Sequence, residues 1–102
     1  IPGEETMKMI MVVYNHSLDE ELMDVLKECG VEFHTHFARA TGVGGQGPHM
    51  GDNIWPSLNN VLYVMVQTES LAKKVLAGIK ELKSHFKTEG IQAWAWKIDS
   101  EV

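Results

Sequence analysis

Two stretches, Lys8 to Tyr14 (KMIMVVY) and Asn60 to Gln67 (NVLYVMVQ), are apolar at both odd and even positions. A strand shows successive side chains to opposite sides, so each of these must bury both of its faces. Each is followed by a helix signal, and that repetition restricts the fold more than any other feature. After the first, Ser17 with Glu20 reads as a capping box, and Leu18, Leu22, Val25, Leu26 and Cys29 recur at helical spacing up to the stop residue Gly30. After the second, Thr68 or Ser70 caps a helix with a stripe of Leu71, Val75, Ile79, Leu82 and Phe86, widened by Ala72 and Leu76. Two more strands complete the order. Val31 to Ala40 alternates, with Val31, Phe33, Thr35 and Phe37 on one side and Glu32, His34, His36 and Ala38 on the other. Ile91 to Ile98 sets Gln92, Trp94, Trp96 and Ile98 on one side, after a turn at Glu89 and Gly90.

The resulting order, β-α-β-β-α-β, predicts an α+β fold of the ferredoxin-like kind: a four-stranded antiparallel sheet with both helices on one face. At 102 residues the expectation is a single domain, over 7–99, with Ile1 to Thr6 set aside and Met7 a candidate natural start. Between the second and third strands, Thr41 to Leu58 carries glycines at 42, 44, 45, 47 and 51 together with Pro48 and Pro56, which predicts a loop of about eighteen residues. Loops longer than roughly 12–15 residues are usually functional or disordered, so a site is sought here first.

Two helices cover one face of such a sheet and leave the other open. The central strands are apolar on both sides, and Met11, Val13, Leu62, Val64 and Val66 are expected on the open face. Removing five such chains from water, at about 1.5–3 kcal/mol each, amounts to on the order of 10 kcal/mol, comparable to a domain's net stability. An obligate oligomer is therefore expected.

Charge and cysteine content narrow the function classes. Nine basic against fourteen acidic side chains give a net charge of -5, and Arg39 is the only arginine, which argues against nucleic acid as a partner. Cys29 is the only cysteine, so no disulfide forms within the chain, and a reducing compartment, the cytoplasm, is expected. No apolar run reaches the roughly 18 residues of a membrane span. No Ser-His-acid elbow, cleft-forming carboxylate pair or dinucleotide fingerprint nominates a catalytic residue, so an enzyme is not expected.

The element order, Gly42-Val43-Gly44-Gly45-Gln46-Gly47-Pro48-His49 after the second strand, and Thr88-Glu89-Gly90 before the last together resemble the PII signalling superfamily, more narrowly its PII-like members. The resemblance spans Met7 to Asp99. It implies a homotrimer whose sheets pack around a central axis, with effector sites in the clefts between subunits. It also implies adenine-nucleotide binding near the loop base, and relay to a target, a membrane transporter or an enzyme, by movement of the loop. More distantly the chain is similar to the divalent-ion tolerance protein CutA, which shares the trimer but not this loop.

The likeness carries Gly42, Gly44 and Gln46 onto the G-x-G-x-Q loop base, with Gly45 where PII has an arginine, and Glu89 and Gly90 onto the end of its phosphate loop. The preceding Arg-Thr-Gly segment, the following lysine and the C-terminal arginines are missing. A nucleotide's phosphates would therefore rely on backbone amides and on Lys83 or Lys87, without the charge-assisted bonds that are roughly twice as strong as neutral ones. The loop also lacks tyrosine, so modification of the PII kind is not expected.

The residues themselves leave other readings open. Gly42 to Asp52 suits an anion nest or a plain wide hairpin. His34 and His36, about 7 Å apart on one strand face, would share a copper, nickel or zinc ion only with help, which His49 offers; this is the alternative function, a transition-metal-binding protein. Trp55, beside Pro56, is a candidate cleft wall, whereas Trp94 and Trp96 suit core or interface packing. Cys29 is expected to be buried and inert, and His16 and His85 structural.

Overall fold

The computed structural model describes residues 6–40 and 59–102. They form β1 (Lys8–Asn15), a short 3₁₀ turn (His16–Leu18), α1 (Asp19–Glu28), β2 (Thr35–Ala40), β3 (Asn59–Val66), α2 (Glu69–His85) and β4 (Ile91–Lys97). The strands make one antiparallel sheet in the order β2-β3-β1-β4, so the two strands that are apolar on both faces lie at its centre, as their composition demands.

The core lies between the sheet and the helices. Ile10, Val12 and Tyr14 of β1, Leu62, Val64 and Val66 of β3 and Ile91 of β4 meet Leu22 and Leu26 of α1 and Ala72, Val75, Ile79 and Leu82 of α2. This corrects the expected composition of the open face. Val12 is paired with Leu62 and Ile10 with Val64, and directly paired residues share a face, so Leu62, Val64 and Val66 belong to the helix side. The open side instead carries Met9, Met11 and Val13 of β1 with Val61, Tyr63 and Met65 of β3. The sequence could not assign these faces because β3 is apolar on both. Trp94, Trp96 and Phe37 extend the open face, and each leaves about half of its surface in water (49%, 46% and 54%). Phe37 meets Tyr63 edge-on, ring centroids 6.1 Å apart.

Helix ends explain the local turns. The capping box expected of Ser17 and Glu20 is not formed. Asn15 instead accepts the Ser17 N–H (2.9 Å) and starts the 3₁₀ turn, so α1 begins two residues later than Ser17, with no side-chain cap at Leu18. Thr68 caps α2, its hydroxyl accepting the Leu71 N–H at 3.0 Å. The C-terminus of α1 is a Schellman motif: Gly30 N–H donates to Lys27 O and Val31 N–H to Leu26 O, with Gly30 at φ 85°. A second glycine sets the helix-helix distance, since a Cβ on Gly78 would lie 2.7 Å from Val25 Cγ1.

β2 is shorter than the alternation from Val31 suggests. It begins at Thr35, opposite Tyr63, and residues 31–34 carry no ladder pairing. Its register with β3 shifts between Phe37 and Ala40. As an edge strand it has one neighbour among the described residues, and none of its described side chains belongs to the buried core.

Candidate functional site

Antiparallel register brings four strand ends to one end of the sheet: Ala40 and Asn15 are both paired with Asn59, and Tyr14 is paired with Ile91. The end of β2, the start of β3, the β1-α1 junction and the turn leading into β4 are therefore neighbours there. Residues 41–58 connect β2 to β3 at this end. Gly42, Gly44, Gly45, Gln46, His49 and Trp55 lie outside the described residues.

The turn after α2 is built by backbone bonds. Phe86 N–H closes the helix on Leu82 O, Glu89 N–H donates to Phe86 O (3.1 Å), and Asn15 N–H donates to Gly90 O (2.8 Å). Glu89 braces this turn against the β1-α1 junction: Oε1 accepts from Ser17 Oγ at 2.8 Å and Oε2 from Thr88 Oγ1 at 3.1 Å. Both carboxylate oxygens thus have protein donors. Gly90 does not have a positive φ, and a Cβ there would meet nothing within 4 Å. Lys87 is exposed on the turn, and Lys83 Nζ donates to Gln92 Oε1 at 3.3 Å.

A second group of side chains at this end was not foreseen as a unit. Asp19 Oδ1 accepts from the Tyr14 hydroxyl (2.6 Å) and from Asn60 Nδ2 (3.3 Å), and His36 Nε2 lies 3.5 Å away. Asn60 Nδ2 also donates to His16 Nδ1 at 3.1 Å. Asn60 is fully buried and Tyr14 almost so, which makes these bonds obligatory. Burial, and then the bond to Asp19, raise the Tyr14 hydroxyl well above its ordinary pKa. The sequence held one clue: tyrosine and asparagine on the core-facing side of strands must find polar partners.

His34 and His36 are not brought to a common centre. His34 precedes β2 and is exposed, while His36 turns toward Asp19. Among the described residues no three His, Cys, Asp or Glu side chains come together to hold a metal ion. Trp94 and Trp96 lie half-exposed on the open sheet face, outside the helix-side core. Cys29 is half-buried, its thiol 3.8 Å from Lys74 O. A shallow depression of about 540 Å³, floored by Met9, Met65 and Trp96, lies on the open face by the C-terminal residues, at the opposite end from β2's exit. No helix among the described residues is long and apolar enough to cross a membrane.

Comparison with known proteins agrees with this architecture. The family model for nitrogen regulatory protein P-II matches residues 7–93. No functionally curated protein matches the sequence. Among solved structures the chain is similar to CPII, a nitrogen regulatory PII-like protein from Thiomonas intermedia K12 bound to ADP, AMP and bicarbonate. The TM-score is 0.65 at 17% identity, covering 92% of this chain and 89% of that one. It is also similar to a DUF3240 family protein from Shewanella baltica OS155, with a TM-score of 0.69, 11% identity and coverage of 95% and 94%. Identities this low speak to the fold.

Proposed function

Because this chain belongs to the nitrogen regulatory protein P-II family, we propose that it is a PII-like regulatory protein, a single domain over 7–99 that works as a homotrimer and is not an enzyme. Its effector is a small anion, an adenine nucleotide first among them, held between subunits at the end of the sheet where residues 41–58 depart. Occupancy is reported through that segment to a protein target. The family match over residues 7–93 is the observation that carries this reading.

Three features support it. The open sheet face bears Met9, Met11, Val13, Tyr63, Trp94 and Trp96, an apolar surface of the kind that sister copies cover. The ordered turn of Lys87 to Gly90 stands at the same sheet end as the roots of the 41–58 segment. CPII, a relative in fold, was solved with ADP, AMP and bicarbonate. In this reading Gly42, Gly44, Gly45 and Gln46 supply backbone and amide contacts, Trp55 a wall, and Lys87 the cation, while Glu89 positions Gly90 through Ser17 rather than touching the ligand. Signalling requires that the effector bind one arrangement of the segment better than the other, since a ligand shifts an equilibrium only by its differential affinity.

Calorimetry with ADP, AMP, ATP and bicarbonate tests the proposal. The expected result is saturable heat with at least one nucleotide, weakened about tenfold or more in Lys87→Ala, on the scale of one charge-assisted contact. Absence of heat with every nucleotide and with bicarbonate would reject it.

A further inference from the structure

β2 carries the N-terminal root of the 41–58 segment, yet it is the least anchored strand of the sheet. Among the described residues it pairs on one edge only, its ladder is irregular between Phe37 and Ala40, and none of its described side chains is in the buried core. Strands in that position open locally at low free energy unless something outside the ladder holds them.

Among the described side chains of β2, that of His36 makes a polar tie to the helical layer. His36 is opposite Leu62, which places it on the helix side of the sheet, and its Nε2 stands 3.5 Å from Asp19 Oδ1 at the first residue of α1. That oxygen is already fixed from two other strands. Tyr14 of β1 donates to it at 2.6 Å and Asn60 of β3 at 3.3 Å, and the Asn60 amide is further held by His16 Nδ1. The carboxylate is thus pre-positioned by buried partners whether or not His36 is in place. The groups around the His36 contact are Asp19 from α1, Tyr14 from β1, Asn60 from β3 and His16 from the 3₁₀ turn. His36 and Asp19 are each about one-third exposed (32%), so their contact is open to competition in a way the Tyr14 and Asn60 bonds are not.

We propose that the Asp19-His36 contact is a clasp that holds the loop-bearing edge strand to α1, and that its making and breaking sets the position of β2's end in the regulatory response. Asp19 is a positioning residue here: it fixes a strand end and does not touch the effector. The regulatory half of this inference rests on the PII-like reading of the preceding section, whereas the mechanical half concerns the free protein alone.

Hydrogen exchange on the full chain separates the two halves. In the free protein, His36→Ala leaves the Tyr14-Asp19-Asn60 bonds intact. Exchange over 35–40 is expected to quicken about three- to tenfold, while β1, β4 and the helices keep their rates and the urea midpoint stays close to wild type. Asp19→Asn, which keeps the shape but loses the charge, should loosen the same strand. An unchanged rate over 35–40 in His36→Ala, or equal quickening in every strand, would overturn the clasp. With ADP as the probe, exchange over 35–40 is expected to change in wild type and to change much less in His36→Ala. Equal ADP responses in the two proteins would overturn the regulatory half. No ADP response in either would count against the effector reading, leaving the free-protein comparison to decide the clasp.

Discussion

Replacing Trp94 by serine tests what the open sheet face is for. The side chain lies outside the helix-side core and keeps 49% of its surface in water in the single chain. A tryptophan offers up to about 250 Å², so about 120 Å² remains to be covered by sister copies, worth about 3 kcal/mol at roughly 25 cal/mol per Å². Area converts poorly to absolute affinity, but the cost of immobilising the partners is shared by both variants and cancels in their difference. Three chains lose about 9 kcal/mol together, and the dissociation midpoint of a three-chain particle scales as the square root of its dissociation constant. That midpoint should rise by about three orders of magnitude as an upper figure, from about 4.5 kcal/mol at about 1.4 kcal/mol per tenfold. Sedimentation velocity over a dilution series reads it, with circular dichroism confirming that Trp94→Ser remains folded. An unchanged midpoint, or a wild-type chain that never associates, would refute the assignment of this face.

Other perturbations follow from the same geometry. Gly78→Ala gains about 1 kcal/mol of helix propensity but sets a methyl 2.7 Å from Val25 Cγ1, an overpacking cost of about 1–3 kcal/mol; urea unfolding should show a net loss that is partly recovered when Val25→Ala is added. Tyr14 holds its proton more tightly in the native state than in the unfolded chain, so its contribution is complete below about pH 10 and is lost as the pH rises above that; wild type should lose stability there more steeply than Tyr14→Phe in parallel denaturation series. At neutral pH the same substitution should cost about 1–2 kcal/mol, because the partly buried Asp19 carboxylate loses the donor supplied by a buried side chain. Ser17→Ala removes the donor to Glu89 Oε1 and should quicken exchange of the Asn15 amide, which is bonded to Gly90 O, while shifting global stability by no more than about 0.5 kcal/mol.

The order of elements was legible because its signals are local: a two-residue period in the strands, a helical stripe beneath Thr68, and Gly30 at the helix end. The central position of β1 and β3 was legible too, from their lack of a polar face. What failed was long-range or competitive. Nothing in the spacing of β3 marks its core face, because either face would bury apolar residues. Ser17 has the spacing of a cap, but Asn15 takes that role and Ser17 turns to Glu89, which lies far along the chain. β2 starts late because residues 31–34 do not join the ladder, although β3 runs on past Tyr63 to Val66. The Tyr14-Asp19-His36-Asn60 group joins residues from three strands and a helix, and no spacing within the sequence encodes such a meeting. Of the expected ligand residues among those described, Glu89 and Gly90 lie at the sheet end where β2 finishes and β3 starts, with the carboxylate braced by Ser17 and Thr88. The expected pairing of His34 with His36 gave way to the Asp19 contact.

Native mass spectrometry of the purified chain, with and without ADP, tests the central claim most directly, since it reports copy number and ligand occupancy together. The expected result is a particle of three chains that gains up to three ADP masses. A solitary chain that takes up no nucleotide would contradict it.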